Sequence, residues 1–330
     1  SIESGGNYNV VVGDEAGTAI TTGDNNVAVG YAALDANTTG NNNVAVGYLA
    51  MTENITGGEN TAMGRLSLDA NTTGSDNTAI GNAALSANTT ATRNTGVGSA
   101  SLMSNTTGGD NTAVGQGALG ANTTGDNNVA MGYQALRLNV AGDRSVAIGV
   151  QALDAQNPSG NADMYNVAVG FEAGKSITTG VENILIGGKA GDALTDADYN
   201  VAIGRASLTA DTQGSKSTAV GFGTLATQNF TSATDSNNTA MGFNAGTSIT
   251  TGIQNTIVGS VAGDALTDAD KNVAIGTNAL SSDTLGNKSV AVGTAALFTQ
   301  NFSSGSTDAD NTAVGFEAGK ALTTGIRNTY

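Results

Sequence analysis

Along this chain a short alternation of apolar and small residues, closed by a glycine, returns at a nearly constant interval. Val27-Ala28-Val29-Gly30 reappears at residues 44–47, 61–64 and 78–81 and continues to 312–315. The closing glycines run from Gly13 to Gly315 and make 18 copies. Of the 17 intervals, 14 are 17 residues long; the three that end at Gly170, Gly242 and Gly315 are 21, 21 and 22. A fixed period of this kind marks a repeat architecture, in which each unit buries its apolar face against the next. With the glycine as position 0, position −3 is always Val, Thr or Ile, and position −1 is always Val, Ile or Met. Position −2 is Ala in all copies but four, which carry Val11, Gly96, Leu185 and Ile257. In an extended segment −3 and −1 share one face, while −2 and 0 share the other. Each copy therefore predicts a three-residue strand, bulky on one side and small on the other.

The remainder of the repeat supplies a core plug and a turn. Position +4 is Leu or Met in 12 copies, Leu34, Met51, Leu68 and Leu297 among them. In the other six it is Gly17, Gly174, Gly191, Gly246, Gly263 or Gly319, and an apolar residue follows three places later: Ile20, Ile177, Leu194, Ile249, Leu266 or Leu322. Every coil thus has one plug, delivered from one of two bends. Asn37-Thr38-Thr39-Gly40 and its relatives are turn chemistry. A helix would need apolar residues three and four apart over ten or more positions, and the Gly and Asn content opposes it. Position −4 is Asn in 15 copies and Ser in three, Ser145, Ser217 and Ser289. Stacked coils would align these side chains in a ladder, each amide bonding the next, with a structural role.

Seventeen largely extended residues trace roughly 55 Å, one circuit of a narrow coil, and stacked strands rise about 4.8 Å. The expected fold is all-β: a parallel β-solenoid of about 18 coils over residues 1–330 as one continuous array. Longer coils carry inserts near 150–166, 222–238 and 294–311. Three chains wound round one another would fit the same repeat, but a plug and turns in every repeat favour a chain wound on itself. Asn328-Thr329-Tyr330 begins a further coil, so the array reads as ending inside a strand, with open edges that invite end-to-end pairing. The small −2 and 0 columns, and the Ala, Ser or Thr at every +3, need a covering wall. The opposite wall of the same coil and a second copy of the chain are the two candidates, and a homo-oligomer is the expectation.

Composition narrows the chemistry. The 330 residues include 28 acidic and 12 basic side chains, for a net charge of −16, with 47 Gly, one Pro, and no Cys, His or Trp. Disulfides, thiolate nucleophiles and sulfur-based zinc sites are excluded, and the commonest neutral-pH general base is absent. An acidic chain repels phosphates and anionic lipid, so nucleic-acid and polybasic membrane roles are disfavoured. No apolar run approaches the length of a membrane span and no signal peptide is legible.

The Asn/Ser-Val-Ala-Val/Ile-Gly signature at residues 26–30, 43–47, 145–149, 200–204 and 289–293 resembles the head repeats of trimeric autotransporter adhesins. That resemblance implies a left-handed parallel β-roll in a homotrimer, although the family's repeat is shorter. Longer phrases at residues 171–180, 191–198 and 226–230 return about 72 residues later, at 243–252, 263–270 and 298–302, a higher-order repeat. They resemble repetitive tail fibres and surface proteins of marine phages and bacteria. The resemblance implies a structural fibre shaft, extracellular, on a cell surface or on a virion, presenting contacts to a host surface, with a cell-surface glycan or receptor as partner. A self-assembling extracellular filament subunit and an ice-binding β-solenoid are the alternatives.

Several groups invite sharper readings. Asp192, Asp196 and Asp198, then Asp264, Asp268 and Asp270, with Asp308 and Asp310, place carboxylates on turns that could suit calcium, but neither an EF-hand spacing nor a calcium-binding nonapeptide is present. Solvated acidic turns are the plainer reading. Thr pairs such as Thr38-Thr39, Thr72-Thr73 and Thr106-Thr107 would stack into hydroxyl rows, and the Asn-Thr-Thr triplets are formal glycosylation acceptors. Tyr31, Tyr48, Tyr133, Phe171, Phe222, Phe243 and Phe316 follow the glycine and could stack on sugars, though packing between coils or subunits explains them as well. The inserts suit variable contacts, with Phe230 and Phe302 as anchors. No nucleophile motif or acid–base pair stands out, so the chain reads as no enzyme, and no catalytic, cofactor-binding or metal-ligating residue is assigned.

Overall fold

A computed structural model describes residues 6–305 and 307–330. Among them there are strands, turns and bends and no helix. The chain divides into two compact units, Ser1–Tyr165 and Asn166–Tyr330, and each is a parallel β-solenoid. The first carries nine three-residue strands, from Val10–Val12 and Val27–Val29 to Val146–Ile148; the second carries nine, from Val167–Val169 to Thr312–Val314. These 18 strands are the 18 segments preceding the repeat glycines. Within a unit neighbours pair in parallel and in repeat register, Val10 with Val27, Val11 with Ala28 and Val12 with Val29. The pattern holds across the longer coils of the second unit, where Thr218 pairs with Thr239 and Val290 with Thr312.

The small side of each strand points inward. Ala28, Ala45, Ala62 and their equivalents at −2 are fully buried except Val11 in the first strand, which is half-buried; Ala33, Ala50 and Ser67 at +3 and the plugs Leu34, Met51 and Leu68 at +4 are also fully buried. The wall that covers the small columns is therefore the opposite side of the same coil, and these columns call for no second copy. The bulky −3 and −1 residues point outward and are half-buried or exposed.

The alternation at +4 has a backbone cause. Leu34 (φ 56°) and Leu68 (φ 52°) sit in the left-handed region, and so does Gly17 (φ 53°) where glycine replaces them. A Leu there costs about 1–2 kcal/mol in backbone strain. Full burial returns about 1.5–3 kcal/mol. The glycine version relaxes the bend and moves the plug to +7, where Ile20, Ile177 and Ile249 are buried.

Two polar ladders run through the interior. At −4, Asn26 Oδ1 accepts the backbone N–H of Asn43 at 2.9 Å, while Asn26 Nδ2 donates to the Gly40 carbonyl at 2.9 Å. The ladder expected there thus runs chiefly from side chain to backbone, with weaker amide contacts beside it, as from Asn60 Nδ2 to Asn43 Oδ1 at 3.3 Å. A second ladder, not foreseen, stands at +7 in coils with a Leu or Met plug. Asn54 Nδ2 donates to Asn37 Oδ1 at 2.9 Å, Asn71 to Asn54 at 2.8 Å and Asn88 to Asn71 at 2.9 Å. Each amide also caps its own turn, as Asn54 Nδ2 does at the Gly57 carbonyl, 2.9 Å away. Buried polar groups must be paired, and identical coils pair them by repetition.

The three serines at −4 coincide with the three long coils. There the insert displaces the carbonyl that an Asn amide would reach, and a Gln at +7 fills the gap: Gln156 Nε2 reaches Ser145 Oγ at 3.0 Å, Gln228 reaches Ser217 at 2.8 Å and Gln300 reaches Ser289 at 2.8 Å. In the second unit the rung below each Gln is a buried aspartate. Asp211 accepts from Gln228 Nε2 at 2.6 Å and from the backbone N–H groups of Gly214 and Phe230 at 3.0 Å each. Asp283 repeats this with Gln300 (2.6 Å), Gly286 (3.1 Å) and Phe302 (3.0 Å). Because the coil before Asp211 has a Leu194 plug in this column, only an acceptor-only side chain ends the ladder there without a stray donor. Asp211→Asn turns one oxygen into an N–H₂ facing Gln228, and thermal unfolding should show a loss of about 1–3 kcal/mol. Adding Gln228→Glu restores a donor–acceptor pair and should recover part of it.

Candidate functional site

In the second unit a shallow hollow of about 570 Å³ is lined by Glu317, Lys320, Leu322, Thr323 and Tyr330, with Glu317 and Lys320 paired to each other at 2.6 Å. A shallow hollow of about 300 Å³ in the first unit is lined by Met103, Gly117, Gly120 and Leu138 with Arg137 at its edge. It exists because glycines replace bulkier residues at +2 and +5 of one coil. Arg137, the one ionisable lining residue, is held by Asp154 at 2.7 Å, and Ser104 is the hydroxyl that lines the hollow with it.

The acidic turns are used within the fold. Asp198 Oδ1 accepts the Val181 N–H at 2.8 Å and Asp270 Oδ1 the Ile253 N–H at 2.8 Å, each bonding one coil to the one before. Asp196 takes the Thr179 hydroxyl at 2.5 Å, Asp268 the Thr251 hydroxyl at 2.7 Å and Asp192 the Thr209 hydroxyl at 2.5 Å. Asp308 pairs with Lys288 at 2.5 Å. Among the described residues no three acidic side chains gather as a cation site would need.

Two carboxylates at +5 stand apart. Asp69 and Asp264 each keep a buried Oδ1 without a hydrogen-bond partner, and burial pushes both carboxyls above their ordinary range. Glu53 adds to the shift at Asp69. A raised native pKa means that the folded state favours the protonated acid, so stability rises as pH falls through the folded value and is lost as pH climbs past it. Thr52, one repeat earlier, donates its hydroxyl to the Ala32 carbonyl at 3.2 Å. Asp69→Thr should therefore raise the melting temperature at pH 7, with a gain that shrinks on acidification. Asp110, Glu172 and Asp308 have the opposite sign: Arg93, Lys175 and Lys288 hold them below the ordinary range, and their contribution disappears at low pH.

The threonine rows are only half free. Hydroxyls at +8 donate to the next coil's carbonyl, Thr38 to Ile55 at 3.1 Å, Thr72 to Thr89 at 3.1 Å and Thr106 to Thr123 at 3.0 Å. The +9 residues Thr39, Thr73 and Thr107 remain exposed. Asn37, Asn71, Asn88, Asn105 and Asn122, the formal glycan acceptors, are fully buried in the second ladder, where an attached sugar has no room.

The aromatic column also serves itself. Tyr31 and Tyr48 stack at 5.5 Å, and Phe222 and Phe243 at 5.4 Å, with Arg205 over Phe222 at 5.6 Å. Rings stacked on each other have fewer open faces for a sugar.

The inserts share one frame. Phe230 and Phe302 are buried to within 8% of full burial, as anchors of the kind expected. Short parallel pairs tie each insert to the coil before it, Gly214–Ser215 with Thr234–Asp235 and Gly286–Asn287 with Thr307–Asp308. A basic residue on the preceding coil clasps each one: Arg144 to Asp163, Lys216 to Asp235 at 2.5 Å, Lys288 to Asp308 at 2.5 Å. Such half-exposed pairs contribute about 0–1 kcal/mol each. The frame is constant, while the exposed tips differ: Ser159-Gly160-Asn161, Thr231-Ser232-Ala233 and Ser303-Ser304-Gly305. The coincidence of the three −4 serines with the three long intervals is the signal in the sequence that marks this frame.

The outward strand face is the remaining surface. Met63, Ile80, Met131, Met241 and Ile275 are exposed on it at 37–48%, beside Val and Thr of the −3 column. No protein-family model matches the chain, and no curated protein matches it in sequence.

Proposed function

We propose that this chain is a non-catalytic structural segment of a fibre, extracellular, on a cell surface or on a virion. It serves as a stiff spacer, associates with copies of itself as a homotrimer, and presents weak repeated contacts to a surface glycan or receptor. The observation that carries this reading is the coil-to-coil bonding. Strand, ladder and turn each bond to the equivalent residue one repeat away, as at Asn43 N–H to Asn26 Oδ1 (2.9 Å) and Thr38 N–H to the Ile55 carbonyl (2.9 Å). Within each unit such a stack resists extension because the coils grip their neighbours. Constant frames with differing insert tips suit repeated surface contacts, whose avidity grows with the number carried on one shaft.

The first test is small-angle scattering with absolute mass by light scattering. An elongated particle near three times the chain mass of 32.4 kDa is the expected result. A compact, globular scattering profile would overturn the spacer reading, and an open-ended series of larger species would favour the filament subunit.

A further inference from the structure

We infer that Tyr31 and Tyr48 are an oxidative coupling site, where a one-electron oxidant joins the two rings by a carbon–carbon bond and staples one coil to the next. Both residues lie in the first unit. The strands that lead into them, Val27–Val29 and Val44–Val46, pair in parallel and in register. Hydrogen bonds on either side hold the two backbones one coil apart, from the Gly47 N–H to the Val29 carbonyl at 2.9 Å and from the Leu49 N–H to the Tyr31 carbonyl at 3.0 Å. The rings stack with centroids 5.5 Å apart and planes inclined by 19°. They are 42% and 49% exposed, open to an oxidant and free to turn edge to edge about their side-chain bonds.

The chain has seven tyrosines, and among the described residues Tyr31 and Tyr48 are the two whose rings stack. Tyr133 stands in the same column with 45% exposure, but its neighbours there are Gln116 and Val150. Phe222 and Phe243 stack at 5.4 Å in the second unit, but a ring without a hydroxyl yields no phenoxyl radical. Coupling also needs an acceptor for the phenolic proton, and Glu15, on the coil before Tyr31, stands where one is required. Hydrogen bonding to Glu15, and then its negative charge, holds the Tyr31 phenol above the ordinary range, because the phenolate would face a second anion. Loss of an electron makes the phenol strongly acidic, and the same carboxylate then takes the proton. The chain has no Cys, so a bond between these rings is a covalent tie of a kind that disulfides do not supply here.

Each phenol gives up one electron and its hydroxyl proton, the proton of Tyr31 to Glu15 and that of Tyr48 to water, and becomes a phenoxyl radical. The unpaired electron is shared with the ring carbons beside the oxygen, the two Cε atoms. One Cε of each ring contributes an electron to the new carbon–carbon bond. The hydrogen on each joined carbon then moves to the oxygen of its own ring, which restores both aromatic rings. The pair loses two protons and two electrons in all, and hydrogen peroxide acting through a haem peroxidase takes them up and leaves as two waters. Partners held one coil apart meet at a millimolar or higher effective concentration, roughly 100-fold above a protein solution of about 10 μM.

The deciding experiment oxidises the full chain at about 10 μM with peroxidase and hydrogen peroxide. Dityrosine fluorescence follows the rate, and peptides cut at acidic residues are then weighed, since Asp35 separates Tyr31 from Tyr48. The expected product is a single chain of 32.4 kDa whose two tyrosine peptides are joined and together two hydrogens lighter. It should form at least about 100-fold faster than links between chains. Tyr31→Phe and Tyr48→Phe should each abolish it without loss of fold, because the column already holds Phe171 and Phe222. Tyr133→Phe should leave it unchanged, and oxidation in denaturant should remove the preference for this pair. Glu15→Gln should slow the coupling at neutral pH about tenfold or more, and an unchanged rate would overturn the proton-acceptor role. Absence of the Tyr31–Tyr48 link, its appearance only between chains, or an equal yield from the unfolded chain would overturn the site.

Discussion

Gly98→Ala should cost the first unit roughly 3–5 kcal/mol, from two sources that add. Gly98 sits at φ +129°, a region that residues with a Cβ rarely enter, and the added Cβ would lie 2.7 Å from the carbonyl carbon and oxygen of Gly115 on the next coil. Those atoms are backbone within a stack, so relief would have to shift a whole coil against its neighbour. Gly160 separates the two causes: its φ is +137°, but an added Cβ meets nothing within 4 Å. Gly160→Ala should show the strain alone, about 1–3 kcal/mol. Gly188→Ala has open space and no unfavourable φ and should be neutral or slightly stabilising. Chemical denaturation of the three variants checks the order, and a Gly98→Ala loss no larger than that of Gly160→Ala would remove the stacking argument.

Leu34→Ala should destabilise by about 2–4 kcal/mol, because Leu34 is fully buried and a narrow coil cannot collapse onto the space it leaves. The repeat contains its own rescue. The preceding coil carries Gly17 and Ile20 where this one carries Leu34 and Asn37. Leu34→Gly loses the same packing but also relieves the strain at φ 56°, so alone it should be no more damaging than Leu34→Ala, and adding Asn37→Ile should recover most of the loss. The double variant sacrifices one rung, the bond from Asn54 Nδ2 to Asn37 Oδ1, but Asn54 keeps its 2.9 Å bond to the Gly57 carbonyl. Failure of the double variant to exceed Leu34→Gly in melting temperature would show that the two bends are not interchangeable.

The sequence carried an unusual share of this architecture. All 18 expected strands are present, and the buried columns at +3 and +4 are those that the residue types marked. The ladder at −4 was legible because one polar residue type recurs before every strand. The second ladder was not, since Asn37 and its equivalents lie inside Asn-Thr-Thr-Gly segments that turn chemistry already explains. Asp211 and Asp283 were harder still. A buried carboxylate looks like any other in an acidic chain until the Leu194 and Leu266 plugs of the preceding coils are seen to end the amide ladder. Most of the acidic and threonine side chains singled out in the sequence are engaged for a related reason: adjacent coils lend them hydrogen-bond partners that no single repeat contains.

By itself the sequence determined the period, the number of coils, the strand positions and the parallel stacking. The first three follow from the 17-residue spacing, and the plug and turns in every repeat favoured a chain stacked on itself. Only the tertiary structure decided which side of each strand is the interior. Period-two alternation defines two faces without saying which is covered, and the usual rule would place Val, Ile and Met inside. The coil is too narrow for that. Its interior is already filled by the +3 and +4 residues and by two amide ladders, which leaves room for the Ala methyl at −2, so the bulky columns are turned outward.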